Sequence, residues 1–288
     1  MEFQIAFNDY LNTINAYLHR MFDDKTGSTY DAMKYSLYAG GKRIRPMITM
    51  ACCDALGGDK EVALCFGSAL EMIHTYSLIH DDLPCMDNDE LRRGKPTNHI
   101  VFGEHMAVLA GDALLNYACE SIVGADLKIS PEAKIKALEI LYSASGAEGM
   151  IGGQVMDIRA EEESISADEL VILHNKKTGA LINAAASLGA VASGKDKDLF
   201  YNYSSSLGLA FQIRDDILDV ESDTETFGKP VKSDEKNNKT TYVSLYGIDG
   251  AKEMLRIETE KAISSLEFLG DCGKFLTDLA YYLLERKN

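Results

Sequence analysis

The stretch Glu61–His80 constrains this chain more than any other. Val62, Leu64, Phe66, Leu70, Met72, Ile73, Tyr76, Leu78 and Ile79 leave it apolar on nearly every side of a helical wheel. A helix without a polar face is stable only when neighbours cover it all round, so the segment predicts the centre of a helical bundle. Leu199–Val220 behaves similarly near its end, through Leu207, Leu209, Phe211, Ile213, Ile217 and Leu218. Alternating β-branched runs bounded by turn dipeptides are scarce, and apolar residues recur at helical spacing instead. Helices are expected near 2–22, 29–39, 44–56, 60–82, 104–123, 131–145, 147–162, 166–190, 196–220 and 249–285, the last broken near Gly270. Two polar loops stand out, Leu83–His99 and Ser222–Thr241. The 288 residues fit one large core or two domains at most, and no composition break marks a boundary, so one domain over 1–288 is expected.

Composition removes several function classes. No run of eighteen apolar residues occurs, so no membrane span is predicted. Met1–Asn15 carries Glu2 and Asp9 and lacks a basic start followed by an apolar block, so a secretory leader is not expected. Six cysteines, at 52, 53, 65, 85, 119 and 272, include no C-x-x-C pair, and four lie in apolar helical patterns. The expectation is buried free thiols in a reducing cytoplasm rather than a zinc or disulfide framework. A net charge of −16 disfavours general nucleic-acid binding. It leaves room for an anionic ligand held by metal ions or by a local basic pocket.

Both apolar helices end in acid. DDLPCMD spans Asp81–Asp87 and DDILD spans Asp215–Asp219. Carboxylates packed this tightly repel one another unless something positive sits between them. Mg2+ takes oxygen ligands and keeps waters and substrate phosphates in its shell. Two such clusters across one gap would hold metal ions against a phosphorylated ligand. In the second cluster, Gln212, Asp215, Asp216 and Asp219 form one stripe, since helical residues four apart lie about 40° apart around the axis. Gly208, a turn below Gln212, is expected to leave room there. In the first cluster Pro84 interrupts the helix, so spacing no longer fixes the distance from Asp81 to Asp87. His74 lies seven residues before Asp81 on nearly the same face, either as a satisfied core residue or as a functional one. His80 adjoins the acids and is a candidate to support them. GGKRIRP at Gly40–Pro46 sets Lys42, Arg43 and Arg45 beside two glycines, which allow close backbone approach to a phosphate. It lacks the form of a nucleotide P-loop. Arg92 and Arg93 follow the first acids, to bind the same ligand or to screen the acids.

Taken in order, GGKRIRP, EMIHTYSLIHDDLPCMDNDELRRGKPTNH, GGQVMD (Gly152–Asp157), KTGALI (Lys177–Ile182), FQIRDDILD (Phe211–Asp219), and GKP with NNKTTY in the late loop span residues 40 to about 242. In these segments the chain resembles the trans-prenyl diphosphate synthases, most nearly the bacterial farnesyl diphosphate type. The resemblance implies an all-α, single-domain bundle of about ten or more helices around a deep central cavity, working as a homodimer. It implies Mg2+-dependent head-to-tail condensation of isopentenyl diphosphate with an allylic diphosphate. By that likeness, Asp81, Asp87 and Asp215 hold about three Mg2+, supported by Asp82, Asp216 and Asp219. Arg92, Lys177, Lys229 and Lys239 contact the allylic diphosphate. Lys42, Arg45, His74 and Arg93 contact isopentenyl diphosphate. Thr178 and Gln212 turn oxygens towards the developing carbocation, with Lys177 beside them. The basic tail Arg286–Lys287 closes over the second substrate. Tyr76 and Ser77 set product length, an aromatic at the first of these positions with a proline in the first acid motif going with fifteen carbons. The helical wheel by itself puts Ser77 beneath Asp81 and Tyr76 to the side.

Rival classes fit the residues less well. A di-iron carboxylate bundle needs two Glu-x-x-His helices, and Glu71–His74 supplies one without a second. A terpene cyclase would share the first acid motif but not DDILD and the basic residues of an isopentenyl site. A geranylgeranyl diphosphate synthase remains as an alternative product assignment. A non-catalytic regulatory subunit should show decayed motifs, and every matched acid and cation is present.

Overall fold

The computed structural model describes residues 2–221 and 240–285. Lys229, Lys239 and Arg286–Lys287 lie outside the described residues. The described chain runs α1 (Glu2–Phe22), α2 (Ser28–Leu37), α3 (Ile44–Ala55), α4 (Lys60–Asp81), a two-residue hairpin of β1 (Leu91–Arg92) and β2 (Lys95–Pro96), α5 (Asn98–Phe102), α6 (Glu104–Val123), α7 (Pro131–Ser145) and α8 (Met150–Glu162). It continues with α9 (Ala167–His174), a π-helical turn (Asn175–Gly179), α10 (Ala180–Ala192), α11 (Tyr201–Glu221), α12 (Tyr242–Ser264), a 3-10 segment (Glu267–Gly273) and α13 (Lys274–Glu285).

The apolar stretch forms α4, and α4 is the hub. Asp59 caps it by accepting from the backbone N–H groups of Glu61 and Val62, which a helix start otherwise leaves open. Every residue from Val62 to Ile73 is buried, covered by α3, α6 and α10 and by α1, α2 and α7. Each large apolar side chain taken fully from water there contributes roughly 1.5–3 kcal/mol. α10 packs on both α4 and α11, so it joins the two helices that carry the acid clusters. Among the described residues two helices, α4 and α6, are long and apolar enough to cross a membrane by length and composition alone. The apolar window of α4 is 83% buried, as a bundle core requires, whereas that of α6 is 33% buried.

Several expected boundaries move. The helix expected over 166–190 is broken by the π-helical turn at Asn175–Gly179. The last helix starts at Tyr242, bends at Gly247 (φ 70°, ψ 166°) and gives way before α13, with Gly270 at φ 53°. The polar loop 83–99 contains the β1–β2 hairpin and the start of α5. Cys52, Cys53 and Cys65 are buried free thiols, but Cys85 and Cys272 are exposed and Cys119 is half-buried.

Candidate active site

Asp81 closes α4, and the chain then folds back around Pro84. The Leu83 N–H donates to the His80 carbonyl (3.2 Å), Met86 to Leu83 (2.9 Å) and Asp87 to Asp81 (2.8 Å). The interruption at Pro84 thus returns Asp87 to the end of α4, beside Asp81. Gln154 of α8 donates its side-chain N–H to Asp81 Oδ1 at 3.0 Å. Asp82 is buried and clamped by Arg92, whose Nε donates to both carboxylate oxygens at 2.7 and 3.0 Å and whose Nη2 lies 2.6 Å from Oδ1. The hairpin supplies that arginine, which also pairs with Asp89 at 3.7 Å. Arg92 therefore screens the acids. Burial pushes the Asp81 carboxyl up to about 6; Asp87 and Asp82 add to the shift, and Lys177 and Arg92 oppose it.

The second cluster is reached through the π-helical turn. Thr178 Oγ1 donates to Gln212 Oε1 at 3.0 Å, and Gln212 Nε2 donates to Asp215 Oδ2 at 3.3 Å. Lys177 Nζ lies 2.5 Å from Asp157 Oδ2 on α8. Asp216 and Asp219 are buried, and Asp216 accepts the backbone N–H of Tyr242 at 2.7 Å, fixing the first turn of α12. Gly208 leaves no room: a Cβ there would stand 3.2 Å from the Cα of Gly179, so α11 closes directly on the π-helical turn. Gly153 does the same from α8, where a Cβ would come within 2.2 Å of the Lys177 nitrogen.

Two neighbouring cavities share lining residues, and one of them reaches Asp81. One, of about 480 Å³, is lined by Asp81, Lys177 and Thr178 near its charged part and by Tyr76, Ser77, Met86, Met150, Ile151, Val155, Ile158 and Leu181 elsewhere. The other, of about 310 Å³, is lined by Gly41, Lys42, Arg43, Arg45, Glu71, His74 and Arg93, with Ile182 and Phe211 beneath. Arg45 and His74 line both. Arg92 lines neither of these, but a smaller cleft with Asp82 and Lys95. The cationic pocket is built on a buried ion pair, Arg43–Glu71 at 2.7 Å with each side chain 2% exposed. Arg43 takes a left-handed φ of 50°, and its guanidinium also donates to the Leu37 carbonyl and to Asn15 Oδ1. Arg93 donates to the Gly40 carbonyl, and a Cβ on Gly41 (φ +120°) would lie 2.7 Å from its guanidinium carbon. Only glycine fits that position. The Lys42 ammonium stands 5.9 Å from the Tyr282 ring centroid. The Nε of Arg45 is buried without a hydrogen-bond partner among the described residues. Burial, then Arg45 and Arg93, hold the His74 imidazole well below its ordinary 6.5, so it is neutral at pH 7.

The structure thus assembles Asp81 with Asp87, and Thr178 with Gln212 and Asp215. It gathers Lys42, Arg45, His74 and Arg93 in a second pocket, which shares Arg45 and His74 with the larger cavity, and sets Tyr76 and Ser77 both in that larger cavity. Sequence reasoning missed Gln154, Asp157 and Glu71 as site residues. Gln154 and Asp157 share a helical face at i, i+3 within GGQVMD, which is the signal that could have found them.

Residues 7–267 match the family model described as polyprenyl synthetase. The chain belongs to the polyprenyl synthetase family. A farnesyl diphosphate synthase of Geobacillus stearothermophilus is 51% identical over 236 residues, covering 80% of this chain and 79% of that protein. A geranylgeranyl diphosphate synthase of Cyanophora paradoxa is 43% identical over 263 residues, covering 90% and 88%. The solved geranyltransferase of Legionella pneumophila superposes with a TM-score of 0.89 at 31% identity, covering 100% of this chain and 99% of that one.

Polyprenyl synthetases are prenyltransferases and are generally metal-dependent. The donor set here is all oxygen and dominated by aspartate, which suits a hard divalent cation. Among the described residues no three His, Cys, Asp or Glu side chains form a ready-made cage. The raised Asp81 carboxyl marks a place where a cation would be stabilising. An ion that completes its shell with water and phosphate fits such an open arrangement better than one needing a protein cage.

Proposed function

We propose that this chain condenses isopentenyl diphosphate head-to-tail with dimethylallyl and then geranyl diphosphate, giving farnesyl diphosphate and releasing diphosphate. The observation that carries this is the junction of an acid-mouthed apolar cavity with a cationic pocket at Arg45 and His74. Asp81, Asp87 and Asp215 would hold Mg2+, about three ions by resemblance, with Asp82, Asp216 and Asp219 behind them. When bound, the metal neutralises the departing diphosphate. Lys177 adds a fixed positive charge at the same mouth. The carbon–oxygen bond breaks with its electron pair leaving on diphosphate. Thr178 and Gln212, already bonded to each other, direct oxygens to the allylic cation. Lys42, Arg45 and Arg93 grip isopentenyl diphosphate, whose double-bond pair forms the new carbon–carbon bond. The proton then lost passes to the released diphosphate, so no side-chain base is needed. The cation must be kept from water, and the apolar lining from α4, α8 and α10 does this.

The reading extends to a cytoplasmic homodimer. Ile100, Val101, Val108 and Leu109 are large apolar residues left exposed on α5 and α6, as a face covered by a second copy would be. Incubation with labelled isopentenyl diphosphate, each allylic diphosphate in turn and Mg2+, followed by product sizing, tests the assignment. A fifteen-carbon product is expected. A dominant twenty-carbon product moves the chain to the geranylgeranyl class, in keeping with its Cyanophora relative. No incorporation from any starter makes it a non-catalytic subunit.

A further inference from the structure

We infer that His80 is a positioning residue for product length, anchoring the Tyr76 ring in the elongation cavity from a seat on the backbone of α6. The inference rests on the prenyl-elongation reading above and adds residues that reading does not use.

Tyr76 and His80 both line the larger cavity. They lie four apart on α4, hence on one helical face. The Tyr76 ring is 5% exposed and its hydroxyl has no hydrogen-bond partner among the described residues, so no polar contact from them holds the ring in place. Packing must hold it instead. Its aromatic neighbour is His80, edge to face, with centroids 5.7 Å apart and planes at 75°. That is the arrangement the ring quadrupoles favour.

His80 is itself tied down at two points. Its Nε2 lies 3.1 Å from the Val108 carbonyl of α6; a carbonyl only accepts, so Nε2 carries the proton. The imidazole also fills the space above Gly111. A Cβ at Gly111 would fall 2.1 Å from Nε2 and 2.6 Å from Cδ2. Gly111 is buried in an otherwise ordinary stretch of α6, so its missing side chain is what admits the ring. The order of support runs from the α6 backbone to His80 and from His80 to Tyr76. A ring fixed this way cannot swing aside when a longer chain presses on it. This explains how a tyrosine with an unbonded hydroxyl can act as a stop.

Product sizing of His80→Ala, Tyr76→Ala, the double variant and Gly111→Ala, with wild type alongside, tests the idea. His80→Ala is expected to raise the ratio of twenty- to fifteen-carbon product by about tenfold, the scale on which an apolar pocket discriminates one methylene. The KM for isopentenyl diphosphate should stay unchanged, since His80 is absent from the cationic pocket. The double variant should give the same distribution as Tyr76→Ala alone, because His80 acts through that ring. Gly111→Ala, which evicts the imidazole without altering Tyr76, should broaden the products as well. His80→Gln retains a donor for Val108 and should lie between wild type and His80→Ala. It also serves as the readable variant if the alanine form does not fold. An unchanged fifteen-carbon product in both His80→Ala and Gly111→Ala, or in His80→Gln where the alanine form does not fold, overturns the anchor. Further lengthening in the double variant makes His80 an independent wall and overturns its positioning role. Failure of wild type to elongate would strike the function itself and is seen separately in the same assay.

Discussion

The two cavities share Arg45 and His74 yet are built on opposite principles. The larger is walled mainly by side chains projecting from α4, α8 and the start of α10, with Arg45, Asp81 and Lys177 the charged residues of its lining. The smaller hangs on backbone geometry: left-handed Arg43, positive-φ Gly40 and Gly41, and an ion pair shut away from solvent. Apolar burial is non-directional, so a growing hydrocarbon asks for space and a stop. A diphosphate asks for donors at fixed positions. One site can therefore be retuned by changing one side chain, while the other stands or falls with its loop.

Asp81→Asn should have the largest effect and should separate the cavities most cleanly. It keeps the shape and removes the charge. Turnover should fall by roughly 10²–10³-fold or more, the scale lost when one preorganised electrostatic group is removed. Calorimetric affinity for isopentenyl diphosphate should hold, because the pocket carrying Lys42 and Arg93 is untouched. A parallel loss of both would mean that the two sites are not independent.

Glu71→Gln attacks the other side of the contrast. It strands the Arg43 charge in a place where its partner is 2% exposed. Leaving one member of a buried pair unpaired costs roughly 3–5 kcal/mol, so the urea midpoint should drop clearly. The KM for isopentenyl diphosphate should rise and product length should not move. Arg43→Met with Glu71→Leu should recover part of the stability, since an apolar pair carries no desolvation penalty. It should not restore the KM if the ion pair also shapes the loop.

The same contrast explains how much could be read in advance. α4 was legible because its pattern has no polar face, and the acid clusters because like charges that dense need a reason. Spacing does not fix Asp87's return to Asp81, since Pro84 breaks the period on which spacing arguments depend. The π-helical turn is not legible in the sequence: over a span as short as Asn175–Gly179, residue spacing does not distinguish i+5 from i+4 bonding. Its cause lies in tertiary contact, with Gly153 and Gly208 admitting neighbouring helices to its backbone. Arg92 is half legible for a similar reason. Its charge beside the acids was plain, but only the short hairpin turns it onto Asp82 and away from the larger cavity.

The smallest expected effect falls on the residue the cavities share. Burial first, then Arg45 and Arg93, hold His74 well below its ordinary 6.5. In the unfolded chain it takes up a proton as pH drops through that value, while in the folded chain it stays neutral. Its contribution to stability is therefore full above 6.5 and is lost as pH falls towards the depressed folded value. Between about pH 7 and pH 5.5 the loss should be about 1 kcal/mol. Asp81, raised to about 6 against an ordinary 3.8, works in the opposite sense: its folded form binds the extra proton, so its contribution is lost as pH rises. The slope for wild type alone mixes the two. The difference between wild type and His74→Gln, from urea midpoints with chelator present, isolates the histidine. The variant should lose about 1 kcal/mol less than wild type between pH 7 and pH 5.5. Identical limbs would mean that His74 is solvated at its junction, and the boundary between the two cavities would then be wet rather than sealed.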